Sequence, residues 1–190
     1  MRVFAAQMNI RPDLRVLDLG GTPWIWAHFD IPLNITFVNL QHSDRSPKEH
    51  PLHTFTFEIG DACNLEKFAD KSFDIVFSNS VIEHVGDGEK RKAFAAEARR
   101  LANAYWIQTP AKSFPIEAHC GMPFWWYYPE PWRKYFIEKW KVKLPYWTQM
   151  VEETTYVSEN ELNDLFGGSL SYSERYYGLL KSNCRFIPYG

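Results

Sequence analysis

The feature that most constrains this chain is a series of short apolar runs, each ending on a small or polar group of the kind that holds a ligand. The first, Arg15-Val-Leu-Asp-Leu19, stops at Gly20-Gly21, as a buried parallel strand meeting a tight turn does. Ile35-Thr-Phe-Val-Asn-Leu40 reads as a second strand and Thr54-Phe-Thr-Phe-Glu-Ile59 as a third, with a polar loop between them. Phe73-Asp-Ile-Val-Phe-Ser78 makes a fourth, a helical pattern runs from Gly88 to Ala102, and Ala104-Tyr-Trp-Ile-Gln-Thr109 makes a fifth. Pro23 suits the first turn of a helix after the first strand. Strands alternating with helices predict an α/β fold with a parallel sheet and right-handed crossovers. Toward the end, Ser158 and Glu161 have capping-box spacing, Gly167-Gly168 supplies a stop, and the tail returns as the last strands.

In an open α/β sheet the ligand sits outside the carboxyl ends of the strands. The first strand there offers Asp18 and the glycine pair, where backbone N–H groups and a helix N-terminus can face a carboxylate. The second offers Asn39, able to bond ribose hydroxyls, and the third Gly60-Asp61-Ala62, whose carboxylate can accept from an exocyclic amine. The fourth leads into Ser78-Asn79-Ser80-Val-Ile-Glu-His84.

Bulk properties narrow the partners. At 190 residues the chain is expected to be one domain, and a net charge of −2 gives no positive field to draw nucleic acid. Cys63, Cys120 and Cys184 are far apart, odd in number and without CxxC spacing, which argues against a disulfide framework or zinc site and makes a reducing cytoplasm the expected location. No stretch approaches the apolar length of a membrane span, so any membrane contact is expected to be peripheral.

The order VLDLGG, GDACNL, FDIVFSNSVIEHVGD and YWIQTP resembles the cofactor motifs of class I S-adenosylmethionine-dependent methyltransferases, the broad group often called type 11. The resemblance covers nearly the whole chain and implies a Rossmann-like sheet flanked by helices with S-adenosylmethionine as cofactor. It implies that Gly20 and Gly21 line the methionine end, that Asp18 orients the loop or reaches the amino group, and that Asn79 stands near the methionine moiety. Asp61 would accept from the adenine amine, with Ala62 beside the ring and Asn39 on the ribose. The sequence departs from the family where Thr22 and Trp24 replace glycines and where Asn39 replaces an acid. Family members often carry N-terminal helices, so part of the usual cofactor cover is expected to be missing here.

The segment from Phe124 to Trp147 is dense in aromatic residues, with Trp132, Phe136 and Trp140 at helical spacing and Arg133, Lys134, Lys139, Lys141 and Lys143 bordering them. Residues of about 111–155 are therefore expected to form an aromatic lid inserted after the fifth strand, its plainer alternative being ordinary core. Transfer to a hydroxyl needs a base, and the candidates are His119, Glu117 and His84, with hydrogen-bonded anchoring the competing role for each. No metal is expected: His42, His50 and His53 share a polar loop without supporting cysteine or carboxylate spacing. The expected function is O-methylation of a small-molecule, sugar or lipid-linked acceptor. The alternative is a noncatalytic binding or scaffold protein of the same fold. A dinucleotide oxidoreductase is disfavoured because G-x-G-x-x-G is absent.

Overall fold

The computed structural model describes residues 1–41 and 49–190. Its centre is a seven-stranded sheet in the order β3-β2-β1-β4-β5-β7-β6. Strands β1 (Arg15–Leu19), β2 (Asn34–Asn39), β3 (Thr54–Ile59), β4 (Ile75–Asn79) and β5 (Ala104–Pro110) pair in parallel, as the run pattern predicts. The tail returns as β6 (Leu170–Tyr176) and β7 (Leu179–Ile187), with β7 inserted antiparallel against β5.

Alternation along each strand divides the core in two. Leu17, Leu19, Val76, Tyr105 and Ile107 face one side and meet Phe94, Ala95 and Ala98 of α2 (Gly88–Leu101) and Leu162 of α5 (Glu159–Leu165). Val16, Ile75, Phe77 and Trp106 face the other. The expected cap is present, since Ser158 Oγ accepts from the Glu161 N–H at 3.1 Å.

On the second face the structure departs from expectation. Pro23 opens only a three-residue 3-10 turn, Pro23–Ile25, so no α-helix follows β1. Trp26 and Phe29 turn inward instead, and Phe4 of a short N-terminal helix, α1 (Arg2–Gln7), meets Trp26 edge to face at 5.9 Å. Three large rings and one short helix cover the area a crossover helix would otherwise bury. The short helix α1 thus contributes to this core through Phe4.

The β1 turn depends on Gly20. Its φ is +73°, and a Cβ there would lie 2.6 Å from Val81 Cγ2. Gly20→Ala should destabilise the protein by about 1–3 kcal/mol, from backbone strain and overpacking, as read by denaturant unfolding.

Between β5 and α5 the chain forms a 3-10 turn, Trp125–Tyr127, then α3 (Glu130–Lys143) and α4 (Pro145–Glu153), which pack on each other. No helix among the described residues is long and apolar enough to cross a membrane.

Candidate active site at the strand ends

Parallel pairing brings the predicted ligand groups to one edge. Gly20 N–H bonds the Val38 carbonyl, Gly60 N–H the Asn39 carbonyl, and Ser80 N–H the Gln108 carbonyl, so the chain leaves neighbouring strands side by side. Gly20, Asn39, Asp61 and Asn79 therefore line up along β3-β2-β1-β4.

Asp18 is fully buried beneath the glycine turn. Its Oδ2 accepts from Trp26 Nε1 at 2.8 Å, while Oδ1 has no hydrogen-bond partner. Burial pushes its carboxyl up to about 7, against the opposing pull of the Trp26 bond. Gly21 closes over this carboxylate so tightly that a Cβ would stand 2.0 Å from Oδ2. Asn39 spends its amide N–H on the Gly21 carbonyl at 3.0 Å, and so holds the turn.

Asp61 Oδ1 accepts from the Cys63 N–H at 2.8 Å, the main reason its carboxyl lies below the usual range, and Lys90 Nζ stands 3.5 Å from Oδ2. Asp61→Ala should weaken S-adenosylmethionine binding by roughly 1–3 kcal/mol, whereas Asp61→Asn, which keeps the turn-forming acceptor, separates ligand contact from turn shape. An Asp61→Ala affinity equal to that of the parent, measured by calorimetry on folded protein, would leave Asp61 only the turn.

Beside this edge lies a cavity of about 500 Å³, lined by Phe77, Trp106, Phe114 and Tyr172 together with Asn79 and Glu117. Behind the wall residues Glu117 and Ala118 stands a buried polar cluster. Glu117 accepts from the N–H groups of His119 and Cys120, both at 2.7 Å, and its Oε1 lies 2.8 Å from His119 Nδ1. His119 Nε2 lies 2.9 Å from His84 Nε2 and 3.9 Å from Glu83 Oε1.

The surrounding bonds set the proton positions. Thr154 Oγ1 donates to the Met150 carbonyl at 2.8 Å, so at 3.2 Å it accepts from His84 Nδ1. His119 Nδ1 donates to the Glu117 carboxylate. Each Nε2 would then carry a lone pair facing the other, unless His119 holds a second proton and donates to His84. The electrostatics agree: the Glu117 bond raises His119 above its ordinary value, while burial and then the His119 charge lower His84 to about 4.

The structure thus brings together all three predicted base candidates. Two further residues join them: Glu83, the neighbour of His84 in the fourth motif, and Thr154, which sequence reasoning passed over. Glu83, raised to about 7 by burial, accepts from Thr109 Oγ1 at 3.0 Å. Thr154 orients His84 from 70 positions away, and nothing in the local sequence signals that pairing. Of the loop histidines weighed as metal ligands, His42 lies outside the described residues; His50 and His53 stack on each other at 4.4 Å, and His53 Nε2 lies 3.3 Å from the Trp26 carbonyl.

Residues 26–104 match the family profile described as a methyltransferase domain, from the crossover after β1 to the start of β5. A S-adenosylmethionine-dependent methyltransferase from Methanosarcina mazei superposes with a TM-score of 0.56 at 14% identity, covering 98% of this chain and 96% of its own. The chain has the fold of the class I methyltransferases, and its central residues match their domain profile. A phosphoethanolamine N-methyltransferase from Haemonchus contortus, in complex with S-adenosylhomocysteine, gives a TM-score of 0.57 at 16% identity over 90% of this chain but 37% of its own. A cyclopropane synthase from Mycobacterium tuberculosis gives 0.58 at 14% identity over 90% and 61%. No curated protein matches the sequence.

S-adenosylmethionine is the cofactor of the methyltransferases this chain resembles, and the strand-end residues fit it. The decisive feature is the unpartnered, buried Asp18 Oδ1 under the glycine turn, an acceptor suited to an ammonium group close by. Gly20, Gly21, Asn39, Asp61, Ala62 and Asn79 are the residues that would hold the cofactor. When bound, it supplies a methyl carbon made electrophilic by its sulfonium.

Proposed function

We propose that this methyltransferase moves the methyl group to a hydroxyl oxygen of a small-molecule, sugar or lipid-linked acceptor, within one domain whose residues 111–155 close over the cavity as a lid. The observation that carries the reading is the His119–His84 contact, backed by Glu117 and set behind the cavity wall. As a new C–O bond forms and the methyl–sulfur bond breaks, the hydroxyl proton must leave. His119 takes it at Nε2 once movement of the wall at Glu117 and Ala118 brings the acceptor to that atom and the proton held between the two histidines has been lost. Glu117 fixes the ring and its tautomer through Nδ1, and His84, held by Thr154, offers the opposing lone pair. The aromatic walls exclude water and align the acceptor, which is most of what methyl transfer asks of a protein.

The test follows formation of S-adenosylhomocysteine with candidate hydroxyl and amine acceptors, alongside calorimetry with cofactor and product. Hydroxyl-dependent turnover supports the reading. Amine-dependent turnover overturns O-methylation. Tight cofactor binding without turnover on any acceptor favours the noncatalytic scaffold, which the bulky Trp24, 63% exposed beside the glycine turn, would suit.

A further inference from the structure

The helix α3 has no buried residue along its 14 positions. Its inner face is nevertheless occupied, since Phe136 and Trp140 pack on Trp125 at 6.5 and 5.4 Å between ring centres. The outer face carries Trp132, Tyr135, Lys139, Val142 and Lys143 at helical spacing and continues into Tyr146 of α4. Trp132 is 62% exposed, Val142 84% and Tyr146 89%. Trp132 meets Tyr128 at 6.3 Å and Tyr135 meets Phe136 at 5.7 Å, yet each leaves more than half of its surface open.

We infer that this outer face docks on an anionic lipid bilayer. Charge selects that partner. Helix α3 holds Arg133, Lys134, Lys139, Lys141 and Lys143 against Glu130 and Glu138, a local positive excess in a chain whose net charge is −2. Its acids are also engaged within the element: Glu130 pairs with Lys134 at 2.6 Å and Glu138 with Lys141 at 3.3 Å, while Glu152 of α4 takes Lys141 at 2.8 Å. Lys139 and Lys143, on the outer face, have no carboxylate partner among the described residues, and Lys139 Nζ sits 4.6 Å from the centre of the Tyr135 ring. Exposed aromatics with free lysines between them match the boundary layer of a bilayer, where rings enter the headgroup region and ammonium groups meet lipid phosphates. A second copy of this chain fits poorly. A two-fold contact on this face would bury the unpaired Lys139 and Lys143 of both copies in one interface.

The whole protein, without cofactor, is mixed with vesicles of phosphatidylcholine alone or with phosphatidylglycerol, and bound protein is measured by flotation. Binding to the phosphatidylglycerol vesicles, little binding to phosphatidylcholine alone, and release by salt are expected. The double variant Lys139→Ala/Lys143→Ala should lower the partition coefficient roughly tenfold or more, at about fivefold per lysine. Trp132→Ala/Tyr146→Ala should lower it independently, both variants retaining the parent's circular dichroism and melting temperature. No binding to either vesicle, or equal binding to both, overturns the inference. So does a concentration-dependent dimer in solution that Trp132→Ala abolishes, because a second copy would then be the occupant. None of these readings depends on the acceptor or on turnover.

Discussion

Replacing His119 with alanine should reduce hydroxyl methylation by roughly 10²–10⁴-fold, the usual contribution of a general base, while cofactor affinity stays at the parent value. Affinity is spared because the cofactor residues lie on β1 to β4 and their following turns, whereas His119 comes from the segment after β5. Stability should fall modestly, by about 1–2 kcal/mol, since Glu117 Oε1 and His84 Nε2 each lose a partner. His119→Asn separates base from anchor. Its amide can donate to Glu117 as Nδ1 does, so stability should return while turnover stays low. Near-normal turnover in His119→Asn would sink the assignment of His119 as base.

The pH profile supplies a second check on the same residue. Because Glu117 raises His119, the base form accumulates only above its ordinary value near 6.5, and turnover should climb from neutral toward alkaline pH. The stability contribution runs in the opposite direction. A raised histidine stabilises the fold fully below its unfolded value and loses that contribution as pH rises through the folded one. His84, lowered to about 4, contributes stability above its ordinary value that is lost as pH falls toward about 4. Glu117→Gln should therefore move the rising limb of the activity profile to lower pH, measured as kcat against pH.

Much of this was legible in the sequence. The five parallel strands follow from runs that are apolar because both sheet faces are covered, a signal that survives without knowledge of the partners. Asp18, Gly20, Gly21, Asn39, Asp61 and Asn79 could be placed on one edge because strand ends in such sheets converge by topology alone. The crossover after β1 was not legible, since Pro23 followed by Trp24-Ile-Trp26 carries a helix-start signal that the inward turn of Trp26 overrides. The ordinary pKa assigned to His119 also changed, because the Glu117 bond raises it and the Glu83 charge, from the segment after β4, adds to the rise. Long-range pairings of this kind leave no local pattern. The outer face of α3 was visible as an aromatic and basic stretch, but only the structure separates its packed rings from its exposed ones.

Truncating Trp26 to alanine should destabilise the protein by about 3–5 kcal/mol, the range for emptying a fully buried indole from a core. Trp26 is wholly buried and meets Phe4, Phe29 and Phe77 edge to face at 5.9, 5.7 and 5.1 Å. Its neighbours are rigid rings held by the sheet and by α1, which can close only part of the void. Trp26→Phe isolates the polar part of the role. It keeps most of the ring but removes the N–H that Asp18 Oδ2 accepts, leaving both carboxylate oxygens without a donor. Burial already raises Asp18 to about 7, and the Trp26 bond opposes that rise, so its loss raises the folded value further. A raised carboxyl favours the fold most at low pH and progressively less as pH climbs through the folded value. The Trp26→Phe penalty should accordingly be small at about pH 5, where Asp18 is neutral, and larger at about pH 9, where an unpaired carboxylate would be buried. Cofactor affinity should weaken with it, because Asp18 lies directly under Gly21. Urea unfolding of parent and variant at both pH values decides the point, and an equal penalty at the two would show that the indole N–H does nothing for the Asp18 carboxylate.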